Sequence, residues 1–167
     1  MIVKDTKSDG WKAFERLPEV LEITAGVFAE QGERLKEVLE GSPSGITLAE
    51  VANIHEFGAL LKNKDGDVIG EIPARSFIRA WFDENEARIQ GMYLKLLDKH
   101  GPEQWETAVQ QLALWIQGEI QRRIRRGIDP PLAESTKERK KSSKPLIDTG
   151  QLVASIMAKV NGRFART

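Results

Sequence analysis

The sequence predicts an α+β fold, in which a small antiparallel or mixed sheet packs with two long amphipathic helices and short extra helices. Apolar residues recur every three or four positions over 76–100 and again over 102–126, which is typical of helices with one buried face. β-branched residues favour strands at 20–28 and 153–160. Turn-forming residues at 62–67, flanked by short apolar segments, predict a hairpin.

The length of 167 residues predicts a single domain over 1–167, with a mobile lead-in at 1–19 and a basic arm at 133–145. Hydrophobic residues make up 40% of the chain and charged residues 30%, a balance that excludes an intrinsically disordered chain. No apolar run approaches the roughly 20 residues that cross a bilayer, and the first residues lack the apolar segment of a signal peptide. We therefore expect a soluble protein, made in the cytosol, without a membrane partner.

The charges are distributed unevenly along a chain whose formal net charge is zero. Residues 1–100 contain 13 Lys and Arg against 18 Asp and Glu, whereas residues 101–167 contain 12 against 7. The acidic part of one subunit could therefore pair with the basic part of its neighbour. Alternatively, folding interleaves the two parts and cancels the asymmetry.

The first helix is predicted to begin after Thr47, whose hydroxyl would form a capping box with Glu50 three residues later. An apolar face leads from there to Gly58, which suits the left-handed conformation that often ends a helix. Residues 72–75 should be extended, because Pro73 disfavours a helix at the residue before it.

The two long helices follow. The first is predicted to begin at Ser76 and to end at Gly101-Pro102, and the second to run from about Pro102 to Arg126. Near the C-terminus, residues 146–152 predict a turn into a brief helix, in which Asp148 or Thr149 caps the turn. A final strand within 153–160 would pair with the earlier sheet.

The sequence offers little that points to catalysis or metal binding. It has no cysteine and only two histidines, His55 and His100, which lie in unrelated contexts. The acidic turn at 62–67 lacks the later ligand positions of a calcium loop, and residues 83–86 are more simply the exposed first turns of a helix. We predict no catalytic residue, no cofactor and no metal site.

Four arginines, Arg122, Arg123, Arg125 and Arg126, end the second long helix and allow three interpretations. Cations stabilise the negative end of a helix dipole, so they act as a cap. Their guanidinium groups also suit the carboxylates of an adjacent subunit or the phosphates of DNA that passes nearby. The polar segment after them, 135–144, contains no aromatic residue on which single-stranded bases would stack.

Several short motifs, in their order and spacing from Leu21 to about Val160, resemble those of the tail-completion or virion-morphogenesis proteins of tailed bacteriophages. These motifs are Ala52-Asn53-Ile54-His55-Glu56-Phe57-Gly58, Ile72-Pro73-Ala74-Arg75-Ser76-Phe77, Pro131-Leu132 and Leu146-Ile147-Asp148-Thr149-Gly150-Gln151-Leu152. Two positions depart from the family pattern: Ser76 replaces the usual proline, and Gln151 replaces a frequent arginine.

The resemblance implies a structural virion protein that acts in tail completion and head-tail joining. Such a protein assembles with itself as a ring, six- or twelve-fold, in the connector, tail-terminator or collar region of the neck. Its other partners would be neighbouring neck and tail proteins, with genome DNA passing nearby without sequence-specific binding. It would be found in the virion, and in the host cytoplasm during assembly.

Within that resemblance we expect Arg75, Phe77 and Arg79 to be structural anchors, supported by Phe57, Asp148 and Thr149. The alternative is that Phe57 and Phe77 merely fill the core and that Asp148 only caps a turn.

Two tryptophans, Trp81 and Trp115, are expected to exceed the needs of the core and to serve contacts between subunits.

Two other functions stay open on the sequence alone. One is a nucleic-acid-binding accessory protein that uses the basic segment 122–144. The other is an enzyme with an unfamiliar site, for which His55, Asp83 and Glu84 would be the residues to test.

Overall fold

The computed structural model describes residues 21–28, 47–131 and 150–166. The predicted lead-in at 1–19, the basic arm at 133–145, and Asp148 and Thr149 lie outside these ranges. In chain order the elements are β1 (Ile23–Gly26), α1 (Leu48–Phe57), β2 (Ala59–Lys62), β3 (Val68–Ile72), α2 (Arg79–His100), a 3₁₀ turn (Pro102–Gln104), α3 (Trp105–Arg126), α4 (Gln151–Ala154), β4 (Met157–Val160) and β5 (Arg163–Phe164). Two small antiparallel sheets packed with helices confirm the predicted α+β fold class.

Helix α3 lies at the centre of the described fold, with α2 packed on it as well as β1 and β4. These neighbours cover its apolar stripe. Each fully buried isoleucine or leucine stabilises the fold by about 1.5–3 kcal/mol relative to the same side chain in water. The buried stripe consists of Ala108, Val109, Leu112, Ala113, Ile116, Ile120 and Ile124.

The larger sheet joins the two ends of the described chain in the order β1-β4-β5. Strands β1 and β4 are antiparallel, with Ile23 opposite Val160, so the predicted pairing of a C-terminal strand with the earlier sheet is confirmed. The strand begins at Met157 and not at Val153, because Val153 and Ala154 belong to α4. Strand β5 was not predicted. It follows a two-residue turn, Asn161-Gly162, in which both residues have positive φ (46° and 75°), as the favoured hairpin turns require.

The second sheet is the hairpin β2–β3, whose turn was predicted at 62–67. The side-chain oxygen of Asn63 accepts hydrogen bonds from the amides of Asp65 (3.0 Å) and Asp67 (2.8 Å). Its amide nitrogen donates to the Asp67 carboxylate at 3.1 Å. One asparagine thus fixes the turn from inside, as such side chains do in tight turns.

Helix α1 has the capping box that the sequence predicted. The Thr47 hydroxyl accepts from the Glu50 amide at 3.2 Å, and the Glu50 carboxylate accepts from the Thr47 amide at 2.7 Å. Gly58 ends the helix with φ 78°. A Cβ there would lie 2.9 Å from the carbonyl oxygen of Ile72, so only glycine lets the chain turn back this closely.

Two predicted helix boundaries and one predicted role differ from the structure. Helix α2 begins at Arg79 and not at Ser76, and α3 is preceded by a 3₁₀ turn from Pro102. Trp81 does not exceed the needs of the core: only 2% of it is exposed. Trp115 packs edge-on against it, with the ring centroids 5.9 Å apart, and is half-buried. Trp81 belongs to the hydrophobic core and Trp115 packs against that core.

Candidate functional site

The carboxylate of Glu56, at the end of α1, lies at the start of α2 and is buried. One oxygen accepts from the amides of Phe77 (2.9 Å) and Ile78 (3.1 Å). The other accepts from the Arg79 amide (3.0 Å) and the Ser76 hydroxyl (2.5 Å). Glu56 therefore caps α2 from another element and satisfies amides that a helix start leaves without partners.

This capping keeps Glu56 ionised. Burial by itself would raise the pKa of the carboxyl, but the hydrogen bonds from Ser76 and from the amides of Ile78, Arg79 and Phe77 hold the pKa below its ordinary value. An ionised buried carboxylate at a helix start also gains from the helix dipole. Sequence reasoning missed this residue, although it lies within the motif at 52–58.

The Ser76 hydroxyl forms two hydrogen bonds. It donates to Glu56 and accepts from the amide of Ala80 at 3.0 Å. The serine therefore adds a local cap to the long-range cap, since a hydroxyl can donate and accept at once.

The guanidinium of Arg75 is buried and binds the segment after α3. It donates to the carbonyl oxygens of Pro130 (2.7 Å) and Pro131 (3.1 Å), and at 3.4 Å to that of Pro73. The amide of Arg75 donates to the carbonyl oxygen of His55 at 2.6 Å. Burial lowers the pKa of Arg75, but a guanidinium stays protonated near neutral pH.

Two segments that carry the family resemblance, 52–58 and 72–77, thus meet Pro130 and Pro131 at one place, which we call the capping hub. Its two charged side chains are Glu56 and Arg75, and both bind the protein's own backbone, Glu56 also binding Ser76. The hub orients α1, α2 and the segment after α3 relative to one another.

The other predicted residues of this region lie around the hub. Phe77 is fully buried and belongs to the hydrophobic core. Phe57 does not fill the core, because 63% of it is exposed. The Arg79 side chain is also exposed, and its guanidinium carbon lies 5.6 Å from the centroid of the Phe57 ring. Phe57 and Arg79 therefore form part of the surface.

The arginines at the end of α3 are partly used within the chain. Arg123 forms a two-pronged ion pair with Glu84 of α2, at 2.5 and 2.9 Å. This pairing lowers the pKa of Glu84 through the hydrogen bond from Arg123. Arg122 pairs with Glu119. The side chains of Arg125 and Arg126 lie at the surface. Glu84 is thus exposed, as the sequence predicted for residues 83–86, but it also joins two helices.

Glu119 is the buried member of this charge network, with 1% of its side chain exposed. Its carboxylate binds Arg122 of its own helix and Arg88 of α2, the latter at 2.8 Å. The Arg88 guanidinium also lies over the Trp115 ring, 5.2 Å from its centroid. The network therefore joins α2 to α3. Sequence reasoning missed it because spacing along a helix does not show which residues another helix covers.

Four of the exposed large apolar side chains among the described residues belong to the hairpin β2–β3. Leu60, Leu61, Val68 and Ile69 are between 45% and 67% exposed. Together with Phe57 we call them the apolar hairpin patch. Neighbouring residues of a strand, such as Leu60 and Leu61, project from opposite faces, so the exposed apolar side chains lie on both faces of the hairpin.

The described residues offer no metal centre and no membrane span. Within these ranges no three His, Cys, Asp or Glu side chains gather in a way that would hold a metal ion. No described helix has the length and apolarity of a membrane-spanning one. The two histidines lie on different helices, and His100 Nε2 is 3.0 Å from the Gln111 side-chain oxygen.

Comparison with known proteins adds no relative: no family model, no curated protein and no solved structure matches the chain.

Proposed function

We propose that this chain is a structural assembly protein of a tailed bacteriophage, which forms a ring with copies of itself at the neck between head and tail. It acts in tail completion and head-tail joining by binding and positioning its neighbours, without a chemical step. The observation that carries the proposal is the apolar hairpin patch, exposed beside a hub built from the motifs that resemble the tail-completion family.

The capping hub supports a positioning role. The acceptor oxygens of Glu56 are used by the start of α2, and the donors of Arg75 by backbone carbonyls. Groups bound in this way hold the surrounding segments in a fixed arrangement. A rigid scaffold that presents exposed apolar side chains suits repeated contacts between subunits.

Nucleic-acid binding through 122–144 is the less favoured function. Arg122 and Arg123 already pair with Glu119 and Glu84, so the described part of that segment offers less free positive charge than its sequence implied. A steep fall of DNA affinity with rising salt would favour this alternative, because phosphate contacts release counterions.

The test combines the purified protein with phage particles that lack it. Light scattering coupled to size-exclusion chromatography, with negative-stain imaging, should show closed rings. Particles assembled without the protein should have filled heads and detached tails. A protein that stays monomeric at every concentration, together with normally joined virions, would reject the proposal.

A further inference from the structure

The hairpin β2–β3 places four exposed side chains on one of its faces. Leu60 lies opposite Glu71, and Lys62 lies opposite Val68. Residues that oppose one another across two strands project from the same face, and so do residues two positions apart on one strand. Ile69, the extra residue of β3 where the register shifts, lies outside this pattern. We call the surface formed by the four side chains the Leu60 face.

The aliphatic and charged side chains of the Leu60 face lie on different diagonals. Strand β2 has Leu60 in the first pair and Lys62 in the second, whereas β3 has Glu71 in the first and Val68 in the second. One diagonal is therefore aliphatic, and the other carries two opposite charges. Neither Lys62 nor Glu71 forms an ion pair with another of the described residues. Both charges are thus available to a partner.

The opposite face of the hairpin differs in character. Leu61 lies there opposite Gly70, and Ala59 lies opposite Ile72, so the paired residues of this face carry no charge. The Leu61 Cδ1 atom is 3.4 Å from the position that a Cβ of Gly70 would occupy. The other charged residues of the hairpin lie in its turn, beyond both faces, and are Lys64, Asp65 and Asp67. Only the Leu60 face combines both signs of charge with aliphatic side chains.

The Leu60 face is complementary to itself. When two copies meet about a twofold axis along the aliphatic diagonal, Leu60 and Val68 each meet their own counterparts, and Glu71 of each copy lies opposite Lys62 of the other. An axis along the charged diagonal would place Glu71 against Glu71, and an axis along or across the strands would place each charge against an aliphatic side chain. The strands of the two hairpins then cross steeply, as in the orthogonal packing of sheets. Charge complementarity thus selects a second copy as the occupant and fixes its orientation.

We propose that two copies of this chain bind one another through their Leu60 faces, about this twofold axis. A contact of this kind pairs copies two by two and does not close a ring. It is therefore separate from the contacts of the proposed ring, which can use the opposite face with Leu61. Four side chains from each copy bury much less than the roughly 800 Å² per partner of a stable complex, so an isolated pair should associate weakly. A test that traps the pair covalently is suited to such a contact.

Cysteine cross-linking traps the pair, because the natural chain contains no cysteine. Leu60→Cys places a thiol beside its own counterpart across the axis, so a short bis-maleimide reagent should join this single variant to itself. Leu61→Cys, which projects from the opposite face, is the matched control, and Leu94→Cys on α2 measures chance collisions. Both controls should give only background, since a ring contact between different surfaces does not bring a residue to its own counterpart. Equal yields from Leu60→Cys and Leu61→Cys would overturn the proposal.

Charge reversal in the Leu60→Cys chain tests the orientation. Lys62→Glu or Glu71→Lys alone should lower the yield of cross-linked dimer about tenfold, because like charges then lie opposite one another on both sides of the axis. The chain with both changes should recover the yield, since exchanging the two charges restores complementarity. Glu86→Lys, at an exposed position on α2, should leave the yield unchanged. A chain with both changes that stays as weak as either single variant would refute the arrangement.

The outcomes separate this contact from the proposed ring. Rings in light scattering without a Leu60→Cys cross-link would overturn the twofold contact and leave the proposed function standing. A chain that cross-links through Leu60→Cys and never forms rings would support the twofold contact and reject the proposed function.

Discussion

At the scale of single residues, Glu56 contributes more than its sequence context indicates. Its side chain ends in the interior, where two oxygens accept four hydrogen bonds from Ser76, Phe77, Ile78 and Arg79. A buried donor that loses its acceptor costs about 1–3 kcal/mol, which is more than the net gain from making a hydrogen bond. The residue should therefore dominate the stability of this region.

We predict that Glu56→Ala lowers the free energy of unfolding by about 3 kcal/mol, because the start of α2 loses its acceptors while the Phe77 amide stays buried. Urea unfolding followed by circular dichroism measures the change. Glu86→Ala removes a carboxylate of the same length from an exposed position on α2 and should change stability by less than about 0.5 kcal/mol. Similar losses in the two variants would contradict the capping role.

The titration of Glu56 predicts a pH dependence with a definite sign. The fold lowers its pKa from the ordinary value of 4.5, so folding favours the ionised form. The resulting stability is complete above about pH 4.5 and is lost as the pH falls through the folded-state pKa. The advantage of the wild type over Glu56→Gln should therefore shrink in acid. Unfolding curves at successive pH values measure it, and a difference that stays constant down to about pH 3 would refute the assignment.

At the scale of elements, α2 and α3 are joined by a buried carboxylate whose partners reach water. The side chains of Arg88 and Arg122 are 53% and 56% exposed, against 1% for Glu119. The arginines can become hydrated if the carboxylate is removed, whereas Glu119 cannot if they are removed. The cost of breaking this network therefore depends on which partner is lost.

We expect Arg88→Ala combined with Arg122→Ala to lower the free energy of unfolding by about 3 kcal/mol, because a buried carboxylate then lacks both partners. Glu119→Gln should cost less, about 1–2 kcal/mol, since it removes the charge and keeps the volume. Chemical unfolding of the wild type and the two variants decides the order. A larger loss for Glu119→Gln than for the double arginine variant would contradict the statement that the arginines become hydrated when the carboxylate is removed.

A substitution on the hairpin should weaken assembly without changing the stability of the fold. Ile69→Asp places a charge on a side chain that is 67% exposed, so the free energy of unfolding should change by less than about 0.5 kcal/mol. In the proposed ring, self-association should weaken about tenfold or more, because the apolar hairpin patch loses one of its side chains. Leu94→Asp is the control, since Leu94 is similarly exposed on α2. Analytical ultracentrifugation measures the association of the wild type and the two variants. Equal association of Ile69→Asp and the wild type would show that the hairpin is not part of the interface.

At the scale of the whole molecule, the charge asymmetry of the chain predicts how assembly responds to salt. In the proposed ring, a contact that pairs acidic residues of 1–100 with basic residues of 101–167 in the next copy should weaken as salt screens it. We expect the association constant to fall between about 0.05 and about 0.5 M NaCl, with the β1-β4-β5 sheet and the core intact. Sedimentation at each salt concentration measures it. An association constant that rises with salt would show that apolar contact alone drives assembly.

Local patterns predicted much of the fold because their causes are local. Thr47 and Glu50 lie within one helical turn, so their capping box can be recognised from residue type and spacing alone. Asn63 sets its turn through amides two and four residues away. The apolar period of α3 predicted its buried face, since one stripe of a helix faces a core wherever that core lies.

Other features depended on partners that are distant in sequence. Helix α2 begins at Arg79 because a carboxylate 23 residues earlier binds its first amides. Trp81 is buried and Phe57 is exposed, although both are aromatic residues at helical positions. Arg123 is bound by Glu84, which lies 39 residues earlier in the chain. This ion pair neutralises part of the positive charge that the sequence predicts at the end of α3.

The sequence by itself therefore determined the α+β class, the two long helices, the hairpin turn and the caps, because propensity and periodicity act within a few residues. Only the tertiary structure decided that the motif segments converge on Glu56 and Arg75 and that the hairpin exposes its apolar side chains. Those outcomes depend on which elements cover one another, and burial and long-range hydrogen bonds exist only once the chain has folded.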